Sequence, residues 1–305
     1  MRYLIIHNPA SGPRSDEIFV FIRELAQAGD EVVVRCLEPG QGADAAAVDV
    51  RAFDRVVASG GDGTVASILD ALRDTHVPVL VFPSGTANLL ANNIGNAAEA
   101  TALAAACRRG RTVRADMAEL FWADEAGDVH RRGFSIIAGT GFDADLMKDA
   151  EPVKADVGEV AYFLSVLNNL EPQVAHFKIE SAEGTLEMDG IGCMVANTSV
   201  IQNGVNLFPN CTMTDGLIDI AVIEPARTLE LAPTLVSAIL DPQGTLLGRP
   251  QLTIFQTREA RITCTPPLNM EFDGEIISNN AGVFGARALP GCLDLIVDDM
   301  AELAR

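Results

Sequence analysis

The run Ala58-Ser59-Gly60-Gly61-Asp62-Gly63-Thr64 sets three glycines around one carboxylate. It follows the apolar stretch Phe53–Val57 and precedes the helix-like Val65–Leu72. Glycines at a strand-to-helix junction remove the Cβ atoms that keep a phosphate chain away from the backbone, so the N–H groups there can cradle anionic oxygens. Asp62 beside phosphates is repulsive unless a metal ion or a proton mediates the contact. Gly60, Gly61, Asp62, Gly63 and Thr64 therefore read as a magnesium-nucleotide loop. An isolated glycine-rich turn, with Asp62 as a cap, is the plainer alternative.

Two other polar loops end apolar runs in the same way. Residues 2–7 lead into Asn8-Pro9-Ala10-Ser11-Gly12, where Asn8 and Ser11 can donate and accept at a strand end. Val77–Phe82 leads into Pro83-Ser84-Gly85-Thr86-Ala87-Asn88, in which Thr86 suits a helix cap or a phosphate and Asn88 a ribose or base. One such loop is a turn. Three that converge at one sheet edge make a nucleotide cleft, because open α/β sheets bind ligands at the carboxyl ends of their strands.

Later in the chain, Thr214-Asp215-Gly216-Leu217-Ile218-Asp219 offers hard oxygen ligands for magnesium or calcium, or else an Asp-Gly turn entering a strand. Glu271-Phe272-Asp273-Gly274-Glu275 reads, taken alone, as an Asp-Gly hairpin. Gly139-Thr140-Gly141-Phe142-Asp143-Ala144 matches a dinucleotide fingerprint superficially but has no βαβ unit around it.

The elements that must position these residues alternate over the first third. Strands are expected at 2–7, 31–37, 53–58 and 77–82, with helices at 15–29, 43–51, 65–72 and 97–107. That alternation means parallel strands with right-handed crossovers, a Rossmann-like α/β nucleotide-binding domain. From Arg111 the texture turns to strands: 112–121, 132–138, 174–181, 186–196, 217–223, 252–255, 260–265, 268–272 and 293–297. Helical insertions are expected around 143–170 and 228–240, the first carrying the apolar Val160–Leu167 that suits a core or an acyl-chain pocket. The second half is thus an antiparallel β-rich sandwich. The expected domains are 1–116, 117–289, and a C-terminal segment 290–305.

The 305 residues carry a formal net charge of −20, which argues against a nucleic-acid partner and against unaided adhesion to anionic lipid. No stretch reads as a membrane span or a leader, so a cytoplasmic location is expected, peripheral at an inner membrane face if at a membrane at all. Six scattered cysteines and four isolated histidines form no zinc spacing.

Taken in order, the segments Asn8-Pro9-x-Ser11-Gly12, Gly60-Gly61-Asp62-Gly63-Thr64, Gly85-Thr86-x-Asn88, Gly139-x-Gly141-Phe142-Asp143-Ala144, Asp215-Gly216-Leu217-x-Asp219 and Asp273-Gly274-Glu275 resemble the diacylglycerol kinase catalytic-domain superfamily. The resemblance implies an ATP- and magnesium-dependent kinase for a hydroxyl of a lipid or lipid-like alcohol. It implies that Asn8, Gly61, Asp62, Thr64 and Thr86 contact or organise magnesium-ATP, with Ser11, Gly60, Gly63, Gly85 and Glu275 in the same set and Asn88 near the nucleoside. Asp273 is implied as general base, Asp215 as part of a structural magnesium site, and Asp116 as part of a network reaching the active-site metal. The C-terminal segment is implied to pack back toward the first domain, with catalysis in a cleft between the two.

Leu89 departs from the Asp that many relatives have after this asparagine, and the helix near 151–167 has Glu151, Asp156 and Glu159 against Lys154 where many relatives are basic. A transient membrane contact resting on apolar residues, a cation or a partner follows from the second departure. A homodimer is compatible with the sequence. A soluble-substrate kinase of the NAD-kinase type and a non-catalytic nucleotide-binding module are the rival functions.

Overall fold

Tyr3, Leu4, Ile5 and Ile6 are consecutive and all fully buried, the pattern of a parallel strand covered on both faces. They form β1 (Arg2–His7) in a computed structural model that describes residues 1–12, 16–27, 29–38, 40–124, 126–141, 172–202, 205–224, 228–272, 275–277, 282–298, 301 and 303. By its contacts the chain divides into two compact units, Met1–Met117 with Leu289–Arg305, and Ala118–Ala288.

After β1 the first unit runs α1 (Glu17–Leu25), β2 (Glu31–Cys36), α2 (Ala43–Ala47), β3 (Arg55–Gly60), α3 (Asp62–Leu72), β4 (Val79–Pro83), α4 (Leu89–Ile94), α5 (Ala100–Arg109) and the start of β5 (Arg111–Ala123). Its strands lie in the order β2-β1-β3-β4, all parallel. The register pairs His7 with Ser59 and Gly60 with Pro83, so three strands end level with one another. One face is closed by α1 and α5, whose Ile18, Phe21, Leu25, Leu103 and Cys107 pack on Tyr3, Ile5, Val57 and Leu80. Phe21 meets Phe82 edge-on at 5.1 Å between ring centres, an aromatic pair worth roughly 1 kcal/mol beyond its burial. Burial in that face pushes the Cys107 thiol up to about 12, so it acts as a small apolar residue.

The second unit adds β6 (Val129–Phe134), β7 (Ile137–Gly141), β8 (Ala175–Ser181), β9 (Gly184–Gly190), β10 (Gly192–Ala196), β11 (Val200–Gln202), β12 (Val205–Asn206), β13 (Ile218–Ile223), α6 (Ala232–Leu240), β14 (Leu252–Thr257), β15 (Glu259–Thr265), β16 (Met270–Phe272), β17 (Glu275–Ile277) and β18 (Val283–Val297). Both β5 and β18 run across the division between the units. In the first unit the end of β18 lies parallel to β4, Leu295 opposite Val79.

Two antiparallel layers make the second unit a sandwich. One contains β18-β15-β8-β9 with the β5-β6 pair, and the other β14-β13-β10-β7-β16-β17. Phe134, Phe177, Ile179 and Ile262 of the first layer share one core with Val195, Ile220, Met270 and Phe272 of the second, as alternation along strands of two facing sheets requires.

The expected single strands 132–138 and 186–196 are each broken in two. The breaks fall where the chain passes from one layer to the other, between β6 and β7 and between β9 and β10. Asn197 holds the first corner, its backbone N–H on Ile136 O at 2.9 Å and its Nδ2 on Ser135 O at 3.1 Å. At the second, a Cβ on Gly190 would lie 2.7 Å from Val222 Cγ1, so only glycine fits. The helix expected around 143–170 lies outside the described residues, as do Phe142, Asp143 and Ala144 of the glycine motif there. Among the described residues no helix is long and apolar enough to cross a membrane.

Candidate functional site

The level ends of β1, β3 and β4 bring three loops together. Asn8 Nδ2 donates to Thr64 Oγ1 at 2.9 Å, and Asn8 Oδ1 accepts the Ala10 N–H at 3.0 Å, so one amide ties the first loop to the glycine helix. Ser11 Oγ lies 3.8 Å from where a Gly61 Cβ would stand. In the third loop the Asn88 side chain closes on Gly85 from both sides, Oδ1 accepting Gly85 N–H at 2.8 Å and Nδ2 donating to Gly85 O at 2.9 Å. This local ring holds Asn88 at φ +50°, a left-handed conformation that asparagine tolerates better than most residues.

Backbone contact between loops explains the glycines. A Cβ on Gly85 would sit 2.6 Å from Gly61 Cα, and one on Gly12 (φ +65°) would collide with Ser84 O. A Cβ on Gly60 would strike the Thr64 side chain at 2.5 Å. A Cβ on Gly61 would fit, in ordinary van der Waals contact with Ser11 Oγ at 3.8 Å and Gly85 Cα at 4.0 Å. Gly61 is also the N-cap of α3 and receives no side-chain cap. The first amides of an eleven-residue helix thus start at a glycine with no side chain bonded over them, the arrangement that attracts an anion. Gly63 lies in the first turn of that helix, and Thr86 is exposed on the third loop.

Asp62 also opens α3, but its carboxylate turns toward the next helix. Its Oδ1 accepts the Leu90 N–H at 3.3 Å. Burial raises its pKa above the ordinary carboxylate value, opposed by backbone N–H groups of Leu90, Leu89 and Asn88. Desolvation outweighs the amide dipoles there, so the site favours anything that neutralises this carboxylate.

Behind the cradle runs a hydroxyl chain that sequence reading missed. His7 Nδ1 lies 2.9 Å from Ser59 Oγ, which lies 3.1 Å from Ser84 Oγ. Ser59 is fully buried, and burial lowers the His7 pKa. The available signal was a polar residue closing each of three apolar strands. What linked them was the register, which spacing alone does not reveal.

Asp116 is buried, and its Oδ1 accepts Gly291 N–H at 2.7 Å within the first unit. In the second unit Asp215 Oδ1 accepts Leu217 N–H at 2.9 Å, closing an Asp-Gly turn with Gly216 at φ +74°. Gln256 Nε2 reaches Asp219 Oδ2 at 3.0 Å and lies 3.5 Å from Asp215 Oδ2. Asp219 is raised by burial. Glu275 begins β17 with its backbone opposite Phe272. Asp273 and Gly274, between those two strands, lie outside the described residues.

For ligands, the glycines at the strand-to-helix junction and the uncapped helix start fit the phosphates of a nucleotide. Among the described residues no three His, Cys, Asp or Glu side chains gather as a metal set. Magnesium carried by nucleotide phosphates needs only one or two carboxylates, and Asp62, half-buried and favoured by neutralisation, suits that lesser demand.

Residues 2–120 match the diacylglycerol kinase catalytic domain family, and residues 136–297 match the YegS C-terminal NAD kinase beta sandwich-like domain. The chain is 25% identical to the diacylglycerol kinase of Bacillus subtilis, over 90% of this chain and 89% of that protein. It is 28% identical to the uncharacterized protein sll0036 of Synechocystis, over 73% of this chain but only 50% of that longer protein. A crystal structure of a diacylglycerol kinase from Bacillus anthracis shares its fold, with a TM-score of 0.71 at 18% identity over 98% of this chain and 97% of that one.

Proposed function

Because this chain belongs to the diacylglycerol kinase catalytic-domain superfamily, we propose that it transfers the terminal phosphoryl group of ATP to a hydroxyl of a lipid. The observation that carries the reading is the convergence of Asn8–Gly12, Gly60–Thr64 and Gly85–Asn88 at one sheet edge, with Gly61 the uncapped start of α3. Phosphoryl transfer asks the protein mainly to position reactants and to offset charge.

In this reading the amides of the glycine loop hold the phosphates in line, and Asn8 fixes Thr64 beside them. Bound magnesium supplies positive charge that offsets the phosphate oxygens. Asp62 gives a carboxylate whose burial makes a nearby cation favourable. Asp273 takes the proton of the lipid hydroxyl as that oxygen bonds to the γ-phosphorus, and the bond to the β-phosphate oxygen breaks to release ADP. Asn88, locked on Gly85, shapes the third wall of the cradle.

The test is transfer of labelled γ-phosphate from ATP into dispersed diacylglycerol and other lipid alcohols, and in parallel into NAD. Labelled lipid from the wild type, and loss of nearly all of it in Asp273→Asn with ATP binding intact, is expected. Label in NAD alone would overturn the lipid assignment, and full turnover by Asp273→Asn would remove the base.

A further inference from the structure

Helix α6 carries aliphatic side chains on both faces. Leu235 and Ala238 pack against the core beside the buried Thr234 and Ser237, whereas Val236, Ile239 and Leu240 are 43%, 39% and 72% exposed. Thr234 Oγ1 donates to Pro250 O, and Ser237 Oγ donates to Thr234 O at 2.8 Å, so the inward hydroxyls are satisfied and a second aliphatic stripe is left facing out. In the loop that follows, Leu246 is 87% and Leu247 51% exposed. Single exposed leucines are ordinary, but five large aliphatic side chains exposed within one helix and its adjoining loop are more than that.

That loop also hides its polar backbone. The buried Asp241 carboxylate accepts the N–H groups of Thr245, Leu246 and Leu247 at 3.2, 2.7 and 2.8 Å. Arg249, buried beneath, donates to the carbonyls of Asp241 and Pro242 at 3.0 Å each, of Gly248 at 2.8 Å and of Asn206 at 2.9 Å. A loop enters a hydrocarbon phase cheaply only if its backbone groups are paired within the protein, and here a carboxylate and a guanidinium do that pairing. Between Ala232 and Gly248 the one charged residue is Asp241, already turned inward.

Charge selects the occupant. On a chain of net charge −20 this segment presents no charge, so it suits an uncharged surface and gains nothing from an anionic one. We propose that α6 and the 241–249 loop form a membrane-seating element that inserts Leu246 and Leu247 into the headgroup and upper acyl layer of a neutral or zwitterionic lipid surface. This deepens, and rests on, the reading of the chain as a kinase for lipid alcohols, since such substrates reside in that layer.

Co-sedimentation with phosphatidylcholine vesicles tests it. The wild type is expected to bind with little salt dependence, and Leu246→Ser with Leu247→Ser to weaken partitioning by about a hundredfold, roughly tenfold for each leucine. Both side chains are exposed, so the melting temperature and transfer to a dispersed short-chain alcohol stay as in the wild type. Leu246→Trp is expected to shift its emission to the blue on adding vesicles. Failure of the wild type to co-sediment, or undiminished binding by the double variant, overturns the proposal. Dimers dissociated by the same two substitutions, without vesicle binding, would overturn it in favour of a second copy of this chain. Absence of transfer to dispersed lipid by the wild type would remove the kinase reading instead and leave the sedimentation result standing.

Discussion

The carboxylate of Asp62, in the first turn of α3, accepts the backbone N–H of Leu90, in the first turn of α4, at 3.3 Å. One side chain thus joins the glycine helix to the helix after the third loop. Its ionised form is costly in the folded chain because burial outweighs the amides. The sign follows: the folded state holds this proton more tightly than the unfolded chain, so it loses relative stability as pH rises from the ordinary carboxylate value to the raised one. Asp62→Asn keeps an acceptor for Leu90 and removes the cost. Thermal unfolding at neutral pH is expected to be unchanged or improved, while turnover falls by about 100-fold or more. Lower stability with normal turnover would reverse the assignment.

Gly61 and Gly85 separate the needs of folding from those of ligand. Gly61→Ala adds a methyl that makes only ordinary contacts with Ser11 and Gly85 at an ordinary backbone conformation, so stability holds within about 0.5 kcal/mol while the methyl intrudes on the phosphate surface. ATP affinity measured by calorimetry is expected to fall by about tenfold or more, for loss of about 1.4 kcal/mol. Gly85→Ala meets Gly61 Cα at 2.6 Å and is expected to cost about 1–3 kcal/mol in denaturant unfolding as well.

His7 is held neutral by burial, its pKa below the ordinary histidine value. The unfolded chain therefore binds the proton first, and stability is lost as pH falls through the ordinary value toward the lowered one. His7→Asn is expected to flatten that acid-side loss in melts taken across pH. If Ser84 depends on the chain through Ser59 for its orientation, the variant also raises the KM for ATP more than it lowers kcat.

The bond from Asn8 Nδ2 to Thr64 Oγ1 is open to a double-mutant cycle. Asn8→Ala and Thr64→Val are each expected to cost about 1 kcal/mol in unfolding, with the double variant less than additive by about 0.5–1 kcal/mol. Strict additivity would show that the two loops are not coupled.

Much of this protein was legible in its sequence because its signals are local. Consecutive apolar residues at 3–6 read as a strand covered on both faces, and glycines around Asp62 at a strand-to-helix junction read as a place where a backbone is approached closely. Glycine positions, strand-end polarity and the switch from alternation to β-rich texture near Arg111 depend on neighbours a few residues away. The tertiary structure decided what depends on register and on packing between distant segments. It set His7, Ser59 and Ser84 in one hydrogen-bonded chain, because parallel strands of unrelated spacing end level. It broke two expected strands at the corners of the sandwich, where Gly190 has no room for a side chain. It set Thr234 and Ser237 of α6 inward beside Leu235 and Ala238 and left Val236, Ile239 and Leu240 outward, a choice that periodicity leaves undetermined in a helix apolar on both faces until the partners of Thr234, Asp241 and Arg249 are in place.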